Sequence, residues 1–384
     1  MHGTFAANLR EKVVVRKSSL QRVLESPPVP RHSFLPLRRL RASGNPYALR
    51  VTQVREGNPR GAHILYHARA ARRARNNLAL DFASTLGKRV VVTESEPGRE
   101  AIEQARYIVV DEFPTLPAPA YATHLFDGNG ILPMRAMEKE QYSARFFRDR
   151  AFRLFEEFWV DMPPAPVDLA FLDGYARLHN RTPKHTSGFS VALHTGELGI
   201  HELVAAVLRS GAPEEDIEAF LEQAIIRREL SFNLCHYNPR YDSLDALPAW
   251  ARKTLDKHRR DRRKPVYTYD EFERAATHDD VWNLAQRQLL GTGTMHGYLR
   301  MLWGKKIIEW SATPEEAHRT MVRLHDVHAR DGRDPNTHAG ILWCFGKHDR
   351  PWAPERPIFG MIRWMSSEQT AKKVLLRDIE ALLN

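Results

Sequence analysis

Apolar residues fall into two textures along the chain. Up to about residue 140 they form short runs separated by polar turns. Ala62-His-Ile-Leu-Tyr66, Arg89-Val-Val-Val92 and Tyr107-Ile-Val-Val-Asp111 read as buried strands. Between the first two lies a helix over 76–86, with Leu78, Leu80, Phe82 and Ala83 apolar and Gly87 as its stop. A shorter helix over 97–105 opens on proline, which suits a first helical position. Strands alternating with helices predict a small parallel α/β unit, and a last strand-like piece falls near 130–132. Beyond Gln141 helical spacing takes over. Ile217, Phe220, Leu221, Ala224 and Ile225 mark one face of a helix over 214–230. Two more helices, 281–290 and 295–310, are parted by Gly291-Thr-Gly293. The first 55 residues are basic and carry Pro27, Pro28, Pro30 and Pro36, the texture of a partly ordered arm. The organisation expected is an arm (1–55), a truncated Rossmann-like parallel α/β domain (56–140) and a large all-helical domain (141–384).

Composition narrows the function. With 42% hydrophobic residues the chain of 384 is globular. It has no apolar run long enough to span a membrane. Two cysteines, Cys235 and Cys344, exclude a disulfide scaffold and a thiolate zinc site. Lys and Arg exceed Asp and Glu by 57 to 47, a net charge of +10 that points first to nucleic acid and then to other polyanions. The opening residues do not have the pattern of a secretory signal, so a cytoplasmic location is expected. The basic run His258-Arg-Arg-Asp-Arg-Arg-Lys264 reads by itself as a solvated loop. Seven of the eight tryptophans lie from Trp250 onward, and Trp303 and Trp310 share a helix face. Core packing explains any one of them. An aligned set also suits base stacking or electron hopping, because both need π-faces at close range.

Several longer segments are distinctive. They are Arg227-Arg-Glu-Leu-Ser231, Cys235-His-Tyr-Asn-Pro239, Thr277-His-Asp-Asp-Val-Trp-Asn-Leu-Ala-Gln286, Met295-His-Gly-Tyr-Leu-Arg-Met-Leu-Trp303, Asp331-Gly-Arg-Asp-Pro-Asn336, Gly340-Ile-Leu-Trp343 and Gly346-Lys-His-Asp-Arg-Pro-Trp352. In this order the chain resembles class II CPD photolyases of the cryptochrome/photolyase superfamily, from about residue 64 to 373. Asn129-Gly-Ile-Leu-Pro-Met134 and Tyr142-Ser-Ala-Arg145 fit that family's junction between α/β and helical domains. The resemblance implies a helical FAD-binding domain and light-driven splitting of a cyclobutane pyrimidine dimer flipped out of UV-damaged DNA. A monomer without membrane attachment is expected.

Residue by residue, the resemblance implies that Tyr175 and the turn Ser187, Gly188, Phe189 and Ser190 clamp the flavin phosphates, where hydroxyls and turn N–H groups suit a pyrophosphate. Arg300 and Asp331, with Gly332 beside them, stand for the charged pair at the isoalloxazine. Trp303, Trp282 and Trp310 match the photoreduction chain from the flavin outward. Glu229 stands where a carboxyl meets the lesion bases, with Asn233 in the same substrate set. Trp343 is implied as a lesion-stacking wall, and Trp352 and Arg363 as DNA-side contacts. Residues outside this family pattern cluster in the same places. His325 stands where the family has an Asn facing the flavin's reactive nitrogen, and a histidine there brings a titratable group. His179 replaces an Arg. Ser231-Phe-Asn-Leu234 and Ser190-Val-Ala-Leu-His-Thr-Gly196 depart from their family counterparts. The α/β part is short, which predicts loss of the antenna-chromophore cleft. A repurposed homologue therefore stays open, using altered FAD, or haem or a metal held by pocket histidines such as His179 and His325. A light-independent nucleic-acid-binding module is the third reading. No metal site is assigned.

Overall fold

The structure, a computed structural model, describes residues 32–40 and 44–383. The basic arm up to residue 31 lies outside the described residues. From Phe34 onward the chain forms one compact unit.

A five-stranded sheet occupies its first part. In chain order it comprises β1 (Val51–Gln53), β2 (His63–His67), helix α1 (Leu78–Thr85), β3 (Val90–Thr93), helix α2 (Arg99–Gln104), β4 (Ala105–Asp111) and β5 (His124–Phe126). The spatial order is β1-β5-β4-β2-β3, parallel except for β1, which pairs antiparallel with β5 (Val51 opposite Phe126). β2 sits centrally and is buried on both faces. Ile64 and Tyr66 pack with α1, and Leu65 packs on the opposite side with Ala105 and Ile108. The Asn77 side chain accepts the N–H groups of Ala79 and Leu80, which starts α1. β3 leaves β2 on one side and β4 returns on the other, so the order reverses between β2 and β4. At that reversal the Asp111 carboxylate takes the Tyr66 hydroxyl at 2.8 Å and the N–H groups of Ala70 and Ala71 at 2.9 and 2.8 Å.

The sequence pattern and the structure differ at residues 130–132, which are not a strand. Their backbone is spoken for by side chains distant in sequence. Glu229 accepts the N–H of Ile131 at 2.6 Å and of Leu132 at 3.2 Å. Arg50, wholly buried, donates to the carbonyls of Asp127 and Gly130, each at 3.1 Å, and of Ile131 at 2.7 Å. A Cβ on Gly130 would lie 2.9 Å from the Glu229 carboxyl carbon, so only glycine fits this approach. The fifth strand is His124–Phe126 instead. From the stretch 1–55, Leu35–Arg39 forms a 3-10 helix and Val51–Gln53 the edge strand, with Phe34 and Leu37 in the core.

The remainder is helical. The helices that build the site are α3 (Ala144–Phe158), α4 (Tyr175–Leu178), α5 (Ser190–Thr195), α6 (Ile200–Leu208), α7 (Glu214–Leu221), α8 (Arg228–Tyr237), α9 (Ala249–Lys257), α10 (Asp280–Thr292), α11 (Gly297–Trp310), α12 (Pro314–His328) and α13 (Pro335–Cys344). Between α7 and α8 the helix does not break. It widens into a π-helical segment, Glu222–Arg227. The helix read over 214–230 thus runs on to Tyr237 with an unforeseen wide turn inside it. Two cores result. One packs α3, α6, α7 and the π segment, and the other packs α10 to α13 around Trp282 and Trp303. Gly196 ends α5 at φ 76° with its would-be Cβ 2.0 Å from the Ala70 carbonyl oxygen, which seats the helical part against the loop after β2.

Candidate cofactor site and tryptophan chain

One cavity gathers most of the residues implied for a flavin. Its empty volume is about 720 Å³, and it is walled by Tyr175, Ser187, Phe189, Ser190, Arg300 and Asp331. These six come from α4, the turn after it, α5, α11 and the loop after α12, so only the tertiary fold unites them. Gly188, at φ 68°, makes the turn between Ser187 and Phe189. Burial pushes the Tyr175 hydroxyl up to about 12, so this group stays a neutral donor.

The cavity also contains residues that the sequence reading missed: Gln223, Arg228, Asp334 and Asn336. Asp334 caps α13 by accepting the Asn336 N–H at 2.8 Å, and it takes His194 at 3.0 Å. Burial alone would raise its carboxyl, but the His194 hydrogen bond and the Arg228 charge carry it below the usual range. Arg228 stacks over Phe232 at 4.4 Å and donates to the Asn129 carbonyl at 2.6 Å. Gln223 and Arg228 stand on either side of the wide turn. A regular helix drifts by about 40° every four residues, and an i→i+5 turn offsets this drift, so Phe220, Ala224 and Arg228 all reach the cavity. Arg228, Asp334 and Asn336 all belong to segments that were already distinctive, and the Asp-Pro start of α13 was the available signal.

Arg300 and Asp331 share the cavity without forming an ion pair with each other. Buried Arg300 Nε and Asp331 Oδ1 are left with no hydrogen-bond partner. Unpaired buried polar groups of opposite charge cost free energy unless a ligand satisfies them. A donor and an acceptor aimed into a cavity of this size fit the polar edge of a flavin. Gly332 instead lines a neighbouring cleft of about 1010 Å³, together with Arg69, Arg72, Arg330 and Arg333, at the β2/β4 reversal. The short sheet thus still leaves a cleft beside it, contrary to the expectation from its length.

His325 is buried against Trp303, with ring centroids 5.7 Å apart at 82°. Burial first, then the Arg300 and His338 charges, push its imidazole down to about 3. The ring is therefore neutral at working pH, with Nδ1 unpartnered. An imidazole lower in the folded state than in the unfolded one leaves stability intact above about pH 6.5 and erodes it as pH falls toward 3. At about 1.4 kcal/mol per pH unit, the His325 contribution approaches roughly 4 kcal/mol at the acid end. His325→Asn is expected to flatten that decline, read as the difference in melting temperature between pH 8 and pH 5. A variant whose acid sensitivity equals that of the natural chain would show that His325 is not its source.

Trp303 Nε1 donates to Gln286 Oε1 at 2.8 Å, and Trp282 Nε1 donates to the Trp303 carbonyl at 3.0 Å. Trp282 and Trp310 lie 6.1 Å apart at 67°. Trp310 in turn meets the exposed His278 ring at 5.0 Å. The indoles thus form a connected path from His325 to the surface.

Other implied residues lie elsewhere. His179 does not line the cavity. It stacks on Tyr175 at 4.5 Å, its Nδ1 bonds the Tyr175 carbonyl at 2.7 Å, and its Nε2 meets Asn180 at 2.6 Å. Both ring nitrogens are used, so it offers no ligand to a haem or metal. Among the described residues no group of three or more His, Cys, Asp or Glu could hold a metal ion, and the haem or metal alternative has no support here. Glu229 gives both carboxylate oxygens to the 131–132 backbone, and burial pushes its carboxyl up to about 7. Asn233 accepts the Gln141 N–H at 2.7 Å and donates to the Lys139 carbonyl at 3.0 Å. Both side chains are saturated inside the fold, unlike the expectation that they face the substrate. Trp343 is half-buried beneath the Arg227 guanidinium at 5.1 Å. Trp352 lies between Arg350 at 4.4 Å and Arg363 at 5.1 Å.

No family model matches the chain. Individual proteins do. It is 33% identical over 357 residues to the deoxyribodipyrimidine photo-lyase of Oryza sativa, covering 78% of this chain and 69% of that protein. It is 37% identical over 294 residues to the deoxyribodipyrimidine photo-lyase of Methanothermobacter thermautotrophicus, covering 64% of this chain and 65% of that protein. Among solved structures it is similar to a bacterial class III photolyase from Agrobacterium tumefaciens (TM-score 0.60, 15% identity, 84% and 86% coverage), which bears on the fold alone. The fold is that of photolyases, a small α/β part followed by a helical part. The chain belongs to the deoxyribodipyrimidine photo-lyase family and is an enzyme of that family.

Proposed function

We propose that the chain is a light-driven DNA-repair enzyme that splits cyclobutane pyrimidine dimers with FAD held in the 720 Å³ cavity. The observation that carries this reading is the meeting of two features at one place. A cavity with unsatisfied Arg300 and Asp331 stands beside a tryptophan path that begins at His325. FAD, when bound, supplies light-driven one-electron chemistry. The chain's own residues do the rest. Tyr175, Ser187 and Ser190 offer hydroxyls to phosphate and ribose oxygens. Arg300 places a cation beside the ring, and Asp331 accepts a hydrogen bond there. Trp310, Trp282 and Trp303 carry an electron inward from the surface. Trp343 and Trp352 offer π-faces to a flipped dimer, and Arg227, Arg350 and Arg363 hold its phosphates. The whole-protein activity is tested with the purified chain loaded with FAD and reduced. Under blue light it is expected to convert a thymine-dimer oligonucleotide to the undamaged strand. Dimers left intact by FAD-loaded protein would overturn the reading.

A further inference from the structure

The basic run 258–264 does not behave as a loosely solvated loop. Asp261, its one acid, is turned inward, where Oδ2 accepts the Ile358 N–H at 2.8 Å and meets His258 Nδ1 at 2.6 Å. Arg259 is paired with Glu315, and Arg263 donates to the carbonyls of Arg259 and Asp261 at 3.2 and 3.0 Å. Arg260, Arg262 and Lys264 remain exposed, and among the described residues none of them makes an ion pair. The inward fastening therefore removes the acid and leaves three cations.

The partner of that fastening is the loop 350–363. It is closed on itself by the Trp352 N–H to the Met361 carbonyl at 2.8 Å and by the Arg356–Gly360 bridge. It is tied to α9 and the run by the Met361 N–H to Thr254 Oγ1 at 2.9 Å, by Lys257 and His258 to Glu355, and by Asp261 to Ile358. A Cβ on Gly360 would overlap Thr254 Oγ1, at 1.9 Å, so the two loops are in close contact there. The second loop also carries free cations on its aromatic rings. Arg350 and Arg363 lie on Trp352, and Arg356 lies over Trp364 at 4.9 Å. Two loops with three unpaired cations each are thus locked into one unit.

We infer that the locked loops 258–264 and 350–363 form a single cationic ridge that grips the backbone of duplex DNA beside the lesion, with Arg260, Arg262 and Lys264 as phosphate contacts outside the lesion pocket. The inference rests on the DNA-repair reading. Fixed, unpaired cations are what a regular row of phosphates recognises, and the excess positive charge of the chain agrees with that partner.

The test neutralises the three together, Arg260→Gln, Lys264→Gln and Arg262→Gln, in the full chain. A control neutralises exposed Arg60, Lys88 and Arg89 on the α/β part, which lowers the net charge of +10 by the same three units. Binding to a duplex bearing one thymine dimer is measured across salt concentrations, and repair is measured on a lone dimer dinucleotide, which has no flanking duplex. Each lost phosphate contact lowers the log K–log [salt] slope by about 0.9. The ridge variant is expected to lose about 2–3 in slope and more than about tenfold in affinity at physiological salt, with dinucleotide repair and melting temperature unchanged. The control should keep its slope. A ridge variant with natural slope and affinity overturns the inference and leaves the repair reading standing. A natural chain that binds duplex with the expected salt dependence but splits no dimer keeps the ridge and removes the repair reading. A natural chain that binds no duplex overturns both.

Discussion

Trp303→Phe is expected to slow photoreduction of bound FAD about a hundredfold or more while the protein stays folded. A benzyl ring is much harder to oxidise than an indole, and each 1.4 kcal/mol added to the barrier costs a factor of about ten. Trp303 is the ring nearest His325 along the path, and its backbone carbonyl is where the Trp282 indole attaches. The substitution removes the donor to Gln286 Oε1 in a buried setting and leaves a small void, together worth about 3 kcal/mol of stability. Illumination with an external reductant, followed by the flavin absorbance, gives the rate, and a thermal melt gives the stability. The same loss of stability with an unchanged rate would reduce Trp303 to packing. Trp310→Phe gives a useful comparison, since it sits at the outer end beside His278 and lacks the Gln286 bond.

The second large effect is expected at Arg300. Arg300→Met keeps the length and apolar stem but removes the guanidinium whose Nε faces no protein partner. A charged hydrogen bond to a ligand is worth about 1.5–3 kcal/mol, which is about tenfold to a hundredfold in affinity. The variant should emerge from gel filtration with most of its FAD gone, read as the flavin-to-protein absorbance ratio and confirmed by titration. Melting of the cofactor-free form should barely change, because Arg300 makes only one long bond in the fold, to the Met295 carbonyl at 3.4 Å. Equal FAD content in variant and natural chain would place the cofactor elsewhere than beside Arg300.

Much of the architecture was readable from local pattern. α10 and α11 were marked by helical spacing and by the Gly291-Thr-Gly293 break, and β2 to β4 by short apolar runs. The unreadable parts are those governed by distant partners. Residues 130–132 have the composition of a strand, but Glu229, almost a hundred positions later, takes their N–H groups. β1 is three residues long, and nothing local separates it from the basic stretch before it. At the site, the resemblance supplied residue names, and the cavity unites Tyr175, Ser187, Phe189, Ser190, Arg300 and Asp331. It could not foresee that Asn233 and Glu229 would be saturated internally, because hydrogen-bond satisfaction depends on the folded neighbours. His325 was singled out as titratable, but its burial holds it neutral.

The wide turn Glu222–Arg227 has a consequence for how this chain tolerates change in length. Elsewhere on a helix surface, a lost residue can be absorbed by a shift in a nearby loop. Here, deleting one residue to regularise the helix would rotate everything after Arg227 by about 100° relative to α7. Arg228 would leave the cavity, Arg227 would leave Trp343, and Glu229 would release the 131–132 backbone, all at once. One helical irregularity thus phases the cofactor wall, an aromatic DNA-side residue and the junction with the sheet. In descendants of this sequence, substitutions within the turn should be far commoner than gaps in it.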